Sequence, residues 1–367
     1  MARGINTGGD VVRTTVDGVD LATIWQDMQA ANDLRNRDRD SLRAILTHRT
    51  TAVGDEVPQT SVLDDFEDMS EMGAPHSIRT GIATIPMGFN FKDRDLAARY
   101  SWRFLRDADA AQVEAVHQGA LDADARQQLQ SVMGALLNNT NRTSPEGLTV
   151  YPLWNADGVV PPEWNGVTFP GSHSHYLVSS SATFDGGDIR DAYQAVAHHG
   201  YGSPDVGGKV IVFLNPVQAD AARGFVKGTA ATDPFDYIPG ASAPAYLTDQ
   251  TIVGDRPPAN VGAISIFGQY GAALLSESSL VPNGYVVAVA TFGSNDQRNV
   301  IAFREHRRPE YQGLRQIPGS SPEYPLQDSY YTRSWGTGVR QRGGAAVVQV
   351  KASGSYDVPA AYQTVIA

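Results

Sequence analysis

Residues 109–139 carry a continuous helical pattern, and this stretch restricts the chain to folds built around one long rod. At ~1.5 Å per residue it would be roughly 45 Å long. Asp109 followed by Gln112 has the spacing of a capping box. Val113, Val116 and Ala120 share a face, and Leu129, Val132, Met133, Leu136 and Leu137 continue an apolar stripe. Asn138, Asn139 and then Pro145 end it. Elsewhere 36 glycines and 21 prolines are spread along the chain, which predicts short elements joined by many turns. The fold class expected is therefore α+β.

A chain of 367 residues that is 41% hydrophobic can bury a sizeable core. Its net charge of −11 leaves no basic excess to neutralise phosphates, so contact with nucleic acid is expected to be weak and local. The absence of cysteine excludes disulfide frameworks and thiolate metal sites, and fits a reducing compartment. The N-terminus lacks an apolar signal core, and no run of 18 apolar residues suggests a membrane span.

Upstream of the rod, Leu21, Ile24, Trp25 and Met28 lie on one helical face, and Leu42, Ile45 and Leu46 form a second apolar cluster. Residues 50–78 hold seven acids, Asp64 and Asp65 among them, and no lysine or arginine. So polar a stretch reads as an extended arm that needs a partner surface. Residues 79–106 read as a hairpin. Tyr100, Trp102 and Phe104 alternate with Arg99, Ser101 and Arg103, residues 82–91 form the opposing strand, and Lys92, Asp93, Arg94 and Asp95 make a charged tip. Further on, a helix is expected over 188–199 and strands over 209–214, 263–267, 285–291, 300–305 and 345–351, with loop over 231–260. Residues 298–342 reverse the charge, with eight arginines against four acids, and complement the acidic arm within one chain or between neighbours.

Catalytic motifs are missing. There is no Gly-x-Ser-x-Gly elbow, no His-Glu-x-x-His pair and no phosphate-cradling loop, since Gly207-Gly208-Lys209 runs into Val210. His173 and His175 are the best metal candidates, because side chains two apart on a strand point the same way. No carboxylate follows them, so they are expected to be a hydrogen-bonded pair in a turn or at an interface. His198-His199 is read as complementing the negative end of a helix. Asp64-Asp65 lacks apolar walls to perturb it and reads as solvated charge. No cofactor, metal or catalytic residue is assigned.

The order of the pieces then becomes informative: arm, aromatic-and-arginine hairpin, long helix, mixed domain, C-terminal strands. Together with PMGFNFKDRDLAARYSWRFLRDADAAQVEAVHQGAL at 86–121 and YPLQDSYYTRSWGTGVRQRGGAAVVQV at 324–350, it resembles the Hong Kong 97-type fold of tailed-bacteriophage major capsid proteins, those of actinobacteriophages especially. The resemblance implies an N-terminal helix and N-arm over 1–75 and an extended loop over 76–107. It implies a peripheral domain over 108–165 with the spine helix 109–139, an axial domain over 166–297, and a C-terminal return over 298–367. It implies a non-enzymatic subunit forming pentamers and hexamers of an icosahedral head around double-stranded DNA, assembled in the host cytoplasm. Portal, scaffold and possibly cement proteins are the implied partners, with weak DNA contact and no membrane.

Subunit contacts are expected at Lys92, Arg94, Tyr100, Trp102, Phe104, Asp64, Asp65, Arg304, Arg307 and Arg308. Tyr100, Trp102 and Phe104 are the apolar anchors, unless they pack on their own spine helix. Some relatives weld their shells by lysine–asparagine bonds. Residues 300–367 contain no asparagine, so no such cross-link is expected. Nor is a cleaved scaffolding segment expected ahead of the hairpin. The same fold occurs in encapsulins, an alternative reading, and a strand-rich enzyme holding metal at His173 and His175 is a more distant one.

Overall fold

The computed structural model describes residues 12–37, 42–58, 68–69, 71–74, 84–203, 206–228, 232–242, 255–317 and 326–363. In chain order the elements are α1 Leu21–Arg37, α2 Leu42–Leu46, β1 Thr47–Thr50, β2 Gly54–Pro58, β3 Thr84–Gly88, β4 Lys92–Ser101, α3 Trp102–Asp107, α4 Ala110–Leu137, β5 Arg142–Thr143, β6 Thr149–Val150, β7 Tyr176–Val178, α5 Gly186–Ala197, β8 Lys209–Leu214 and α6 Pro216–Ala222. They continue as β9 Tyr237–Pro239, β10 Asn260–Val261, β11 Ile264–Ser265, β12 Gly268–Tyr270, β13 Ala273–Glu277, β14 Tyr285–Thr291, β15 Ile301–Glu305, β16 Arg315–Ile317, β17 Leu326–Val339 and β18 Ala345–Gln349. Among the described residues no helix is long and apolar enough to cross a membrane. The chain divides into two compact units, one of residues 1–39, 91–128 and 305–336, the other of 40–90, 129–304 and 337–367.

The larger unit is organised by a seven-stranded sheet in the order β7-β18-β14-β8-β13-β12-β9. Its central strands read KVIVFL and YVVAVAT, near-continuous apolar runs of the kind strands need when both faces are covered. Alternation divides each strand between two cores. Ile211, Phe213, Val287, Val289 and Val347 face one core with Leu46, Val132, Met133 and Leu136. Val210, Val212, Leu214, Ala288 and Val348 face the other, with Ile189, Ala192 and Val196 of α5 and Ala219 and Ala222 of α6. The end of α4 thus covers one face and α5 with α6 the other. Asn215 does more than stop β8: its side chain accepts from the Val217 N–H at 3.1 Å and starts α6.

In the smaller unit β17 pairs with β4 on one side and β16 on the other, both antiparallel. Beneath lies a core of Leu21, Ile24, Trp25 and Met28 from α1, Tyr100, Leu105, Val113 from α4, and Tyr331. The box expected at the head of α4 is formed: Gln112 N–H donates to Asp109 Oδ1 at 2.8 Å, and Asp109 N–H donates to Gln112 Oε1 at 3.1 Å. Val116, placed on the apolar stripe from sequence, is 40% exposed.

Several expectations are corrected. The hairpin does not form: β3 pairs with β2, whereas β4 pairs with β17 from Lys92 opposite Trp335 to Ser101 opposite Leu326. The period-two reading also runs too far. Ser101 Oγ accepts from the Phe104 N–H at 3.1 Å, capping a helix that takes Trp102 and Phe104 out of the strand. Part of the acidic arm is ordinary sheet, as Gly54–Pro58 forms β2. Residues 237–239, expected as loop, form the edge strand β9. The strands expected at 300–305 and 345–351 form but do not pair with each other. Instead β15 runs parallel to β1, and β18 lies between β7 and β14. The sheet of the expected 166–297 domain is therefore incomplete without the C-terminal strand.

At the head of α5, Asp185 Oδ1 accepts from the Gly187 N–H at 2.8 Å and Asp188 Oδ2 from the Asp185 N–H at 3.0 Å, a second capping box. Burial pushes the Asp188 carboxyl up from 3.8 to about 7, against the lowering effect of the Asp185 hydrogen bond. Folded chains keep a proton there that unfolded chains release, so this group's contribution to stability is full below about pH 4, falls as pH rises, and is lost above about pH 7. Asp188→Asn, which can still accept from Asp185, is expected to flatten the fall in melting temperature between about pH 4 and about pH 7. An unchanged pH profile would contradict this.

Candidate functional site

The residues expected at subunit contacts divide into three groups. Tyr100 is 2% exposed and packs on Trp25 with ring centroids 5.5 Å apart, so it is an internal core residue. Arg94 stacks its guanidinium 3.9 Å from the centre of the Trp335 ring and donates to the Trp335 carbonyl at 2.7 Å. Arg304, 8% exposed, donates to both Glu146 carboxylate oxygens at 3.0 and 2.5 Å and to the Phe89 carbonyl at 3.0 Å. Each of these three thus has partners within its own chain, Trp25 for Tyr100, Trp335 for Arg94, and Glu146 with the Phe89 carbonyl for Arg304.

Phe104, Lys92, Arg307 and Arg308 are exposed, and Trp102 is half-buried. Asp64 and Asp65 lie outside the described residues. The expected pairing of acids with late arginines occurs at Asp55, whose Oδ2 lies 2.5 Å from Arg340 Nε in the same chain.

An apolar row also crosses the smaller unit's sheet. Ile317 stands opposite Tyr330, and Tyr330 opposite Ala97, so one face of β16, β17 and β4 presents all three. Ile317 is 50% and Tyr330 39% exposed.

The larger unit joins two histidine pairs that the sequence reading treated separately. His173 and His175 sit just before β7, and His198 and His199 just after α5. His175 and His173 Nε2 are 3.1 Å apart, His199 and His175 Nε2 3.0 Å, His173 and His199 Nε2 3.1 Å, and His198 and His173 Nε2 3.3 Å. His175 is fully buried, and its Nδ1–H donates to the Ala345 carbonyl at 2.5 Å. That fixes the tautomer and leaves its Nε2 as a lone pair. Phe169 lies over the group, 4.2 Å from His199 between ring centres.

Burial lowers every one of these imidazoles. His173 falls to about 4, helped by repulsion from His198; His175 to about 3, against its Ala345 hydrogen bond; and His199 to about 2, helped by the other three histidines. His198 is lowered by burial too. All four are therefore neutral near pH 7. His199 also lines a cavity of about 300 Å³ with Trp154, Trp164, Tyr201, Phe292 and Arg340. The available sequence signal was density: four of the chain's eight histidines fall between 173 and 199.

Comparison with solved structures finds matches along most of the chain. The solved structure of Mycobacterium phage Patience is 38% identical, covering 99% of this chain and 97% of that one at a TM-score of 0.71. The capsid of the native GTA particle is 15% identical, covering 86% of this chain and 91% of the other at a TM-score of 0.48. The SrpI encapsulin of Synechococcus elongatus is also 15% identical, covering 89% and 97% at a TM-score of 0.44. No protein-family model and no curated protein matches the chain.

Proposed function

The chain belongs to the major capsid proteins of tailed bacteriophages, with the Hong Kong 97-type fold, and we propose that the exposed sheet face of its smaller unit is where sister copies meet. As a major capsid protein it self-associates into the icosahedral head of the virion. The 38% identity along 99% of the chain carries this conclusion.

The proposed contact surface is the row Ala97, Tyr330 and Ile317. Phe104, Lys92, Arg307 and Arg308, exposed elsewhere on the same unit, are further contact candidates. Apolar groups at the centre of such a contact supply its energy by leaving water, and rim charges supply steering and register. No catalytic step is assigned. The net charge of −11 supports only weak, nonspecific contact with packaged DNA. Portal, scaffold and possibly cement proteins complete the proposed partners, and the absence of cysteine fits assembly in the reducing host cytoplasm.

Ile317→Glu tests the surface. The side chain is half exposed, so the folded chain should keep its circular dichroism, with stability changed by no more than about 0.5 kcal/mol. A charge buried there should weaken each contact about tenfold, by about 1.4 kcal/mol, and reduce particle yield in sedimentation by at least that factor. Normal particle yield would remove this face from the assembly contacts.

A further inference from the structure

The four histidines make an arrangement that protons alone cannot satisfy. A contact between two ring nitrogens is favourable when one carries a hydrogen and the other does not. His173, His175 and His199 place their Nε2 atoms in a triangle with sides of 3.1, 3.0 and 3.1 Å. Three atoms cannot alternate around a triangle, so at least one side always sets hydrogen against hydrogen or lone pair against lone pair. A fourth Nε2, from His198, lies 3.3 Å from His173. All four ligand atoms fall within 4.8 Å of one another.

A single cation removes the conflict by accepting four lone pairs at once. Four nitrogens placed tetrahedrally at ~2.0–2.1 Å from zinc stand about 3.3–3.4 Å from each other. Four of the six separations, at 3.0–3.3 Å, are close to that edge length, and all six lie within 4.8 Å. The bond from His175 Nδ1–H to the Ala345 carbonyl is the outer-shell contact that aims a metal-binding imidazole. Phe169 shields one side, and the cavity reaching His199 offers a path of entry. At Gly343 even a Cβ would come within 3.0 Å of the His199 ring, so a side chain there would crowd that ligand.

We propose that His173, His175, His198 and His199 bind one divalent zinc-type cation through their Nε2 atoms, fastening the segment before β7 to the end of α5. Imidazole donors without a carboxylate select zinc and its neighbours over calcium or magnesium. The site is independent of the capsid assignment, because it rests only on the larger unit's own side chains.

The test uses the full-length chain without a histidine tag, stripped with a chelator and titrated with Co²⁺ and then Zn²⁺. The expected result is the intense visible absorption of tetrahedral cobalt, saturating at about one ion per chain and bleached by zinc. Elemental analysis should then find about one zinc per chain. The double variant His173→Ala, His199→Ala should take up less than about a tenth as much, and His306→Ala should bind as the unmodified chain does. A weak octahedral cobalt spectrum from the unmodified chain, or undiminished uptake by the double variant, would overturn the site. The unmodified chain's spectrum decides the matter even where the double variant does not fold.

Discussion

Asp124→Ala is expected to destabilise the chain by about 3–5 kcal/mol, because it leaves a buried guanidinium without its closest counter-charge. Asp124 and Arg333 side chains are each 7% exposed, and Arg333 Nη1 lies 2.7 Å from Asp124 Oδ2. The same oxygen accepts from Gln128 Nε2 at 2.6 Å. The next carboxylate, Glu305, is 3.8 Å from Arg333 and recovers part of the loss, which places the effect near the lower end of that range. Desolvating two charges costs nearly as much as their attraction returns, so the penalty lies in orphaning one of them rather than in the pair's net worth. Asp107→Ala is the matching control. Its partner Arg106 is 66% exposed, and no measurable change in urea midpoint is expected. Equal midpoints for the two variants would contradict the difference in burial.

Phe213→Ala is expected to cost about 3–5 kcal/mol for a different reason, the cavity it opens in the middle of the larger unit. Phe213 is 1% exposed, stands opposite Val287 and Ser276 on the two neighbouring strands, and belongs to the core covered by the end of α4. Strands bonded on both sides hold the backbone in place, so the site cannot collapse around the missing ring. Phe213→Leu should cost less, about 1–1.5 kcal/mol. Val217→Ala, at a site 62% exposed just after the strand, should stay within about 0.5 kcal/mol. Denaturant unfolding of unassembled chains measures all three, and a loss under about 1 kcal/mol for Phe213→Ala would show that this sheet is not the densely packed centre of its unit.

What the sequence revealed was local. The box at Asp109 and Gln112, the run KVIVFL and the apolar face of α5 all depend on neighbours within a few residues, and each lies within two residues of its expected bounds. What stayed hidden was set by distant partners. Nothing around Lys92 indicates that it lies opposite Trp335, and an alternating pattern that continues through Trp102 conceals the helix begun by Ser101. Arg304 reads as a surface cation until Glu146 and the Phe89 carbonyl are seen beside it. The histidines follow the same logic. Each pair alone makes a poor metal site, and only the fold brings the end of α5 beside the segment leading into β7.

Electron microscopy of the purified full-length chain at assembly concentration tests most directly whether this subunit is made to tile. Closed icosahedral particles, with the face of β4, β16 and β17 covered by a sister copy in the reconstruction, are the predicted result. A preparation that stays monomeric at every concentration, or shells in which that face is bare to solvent, would contradict it.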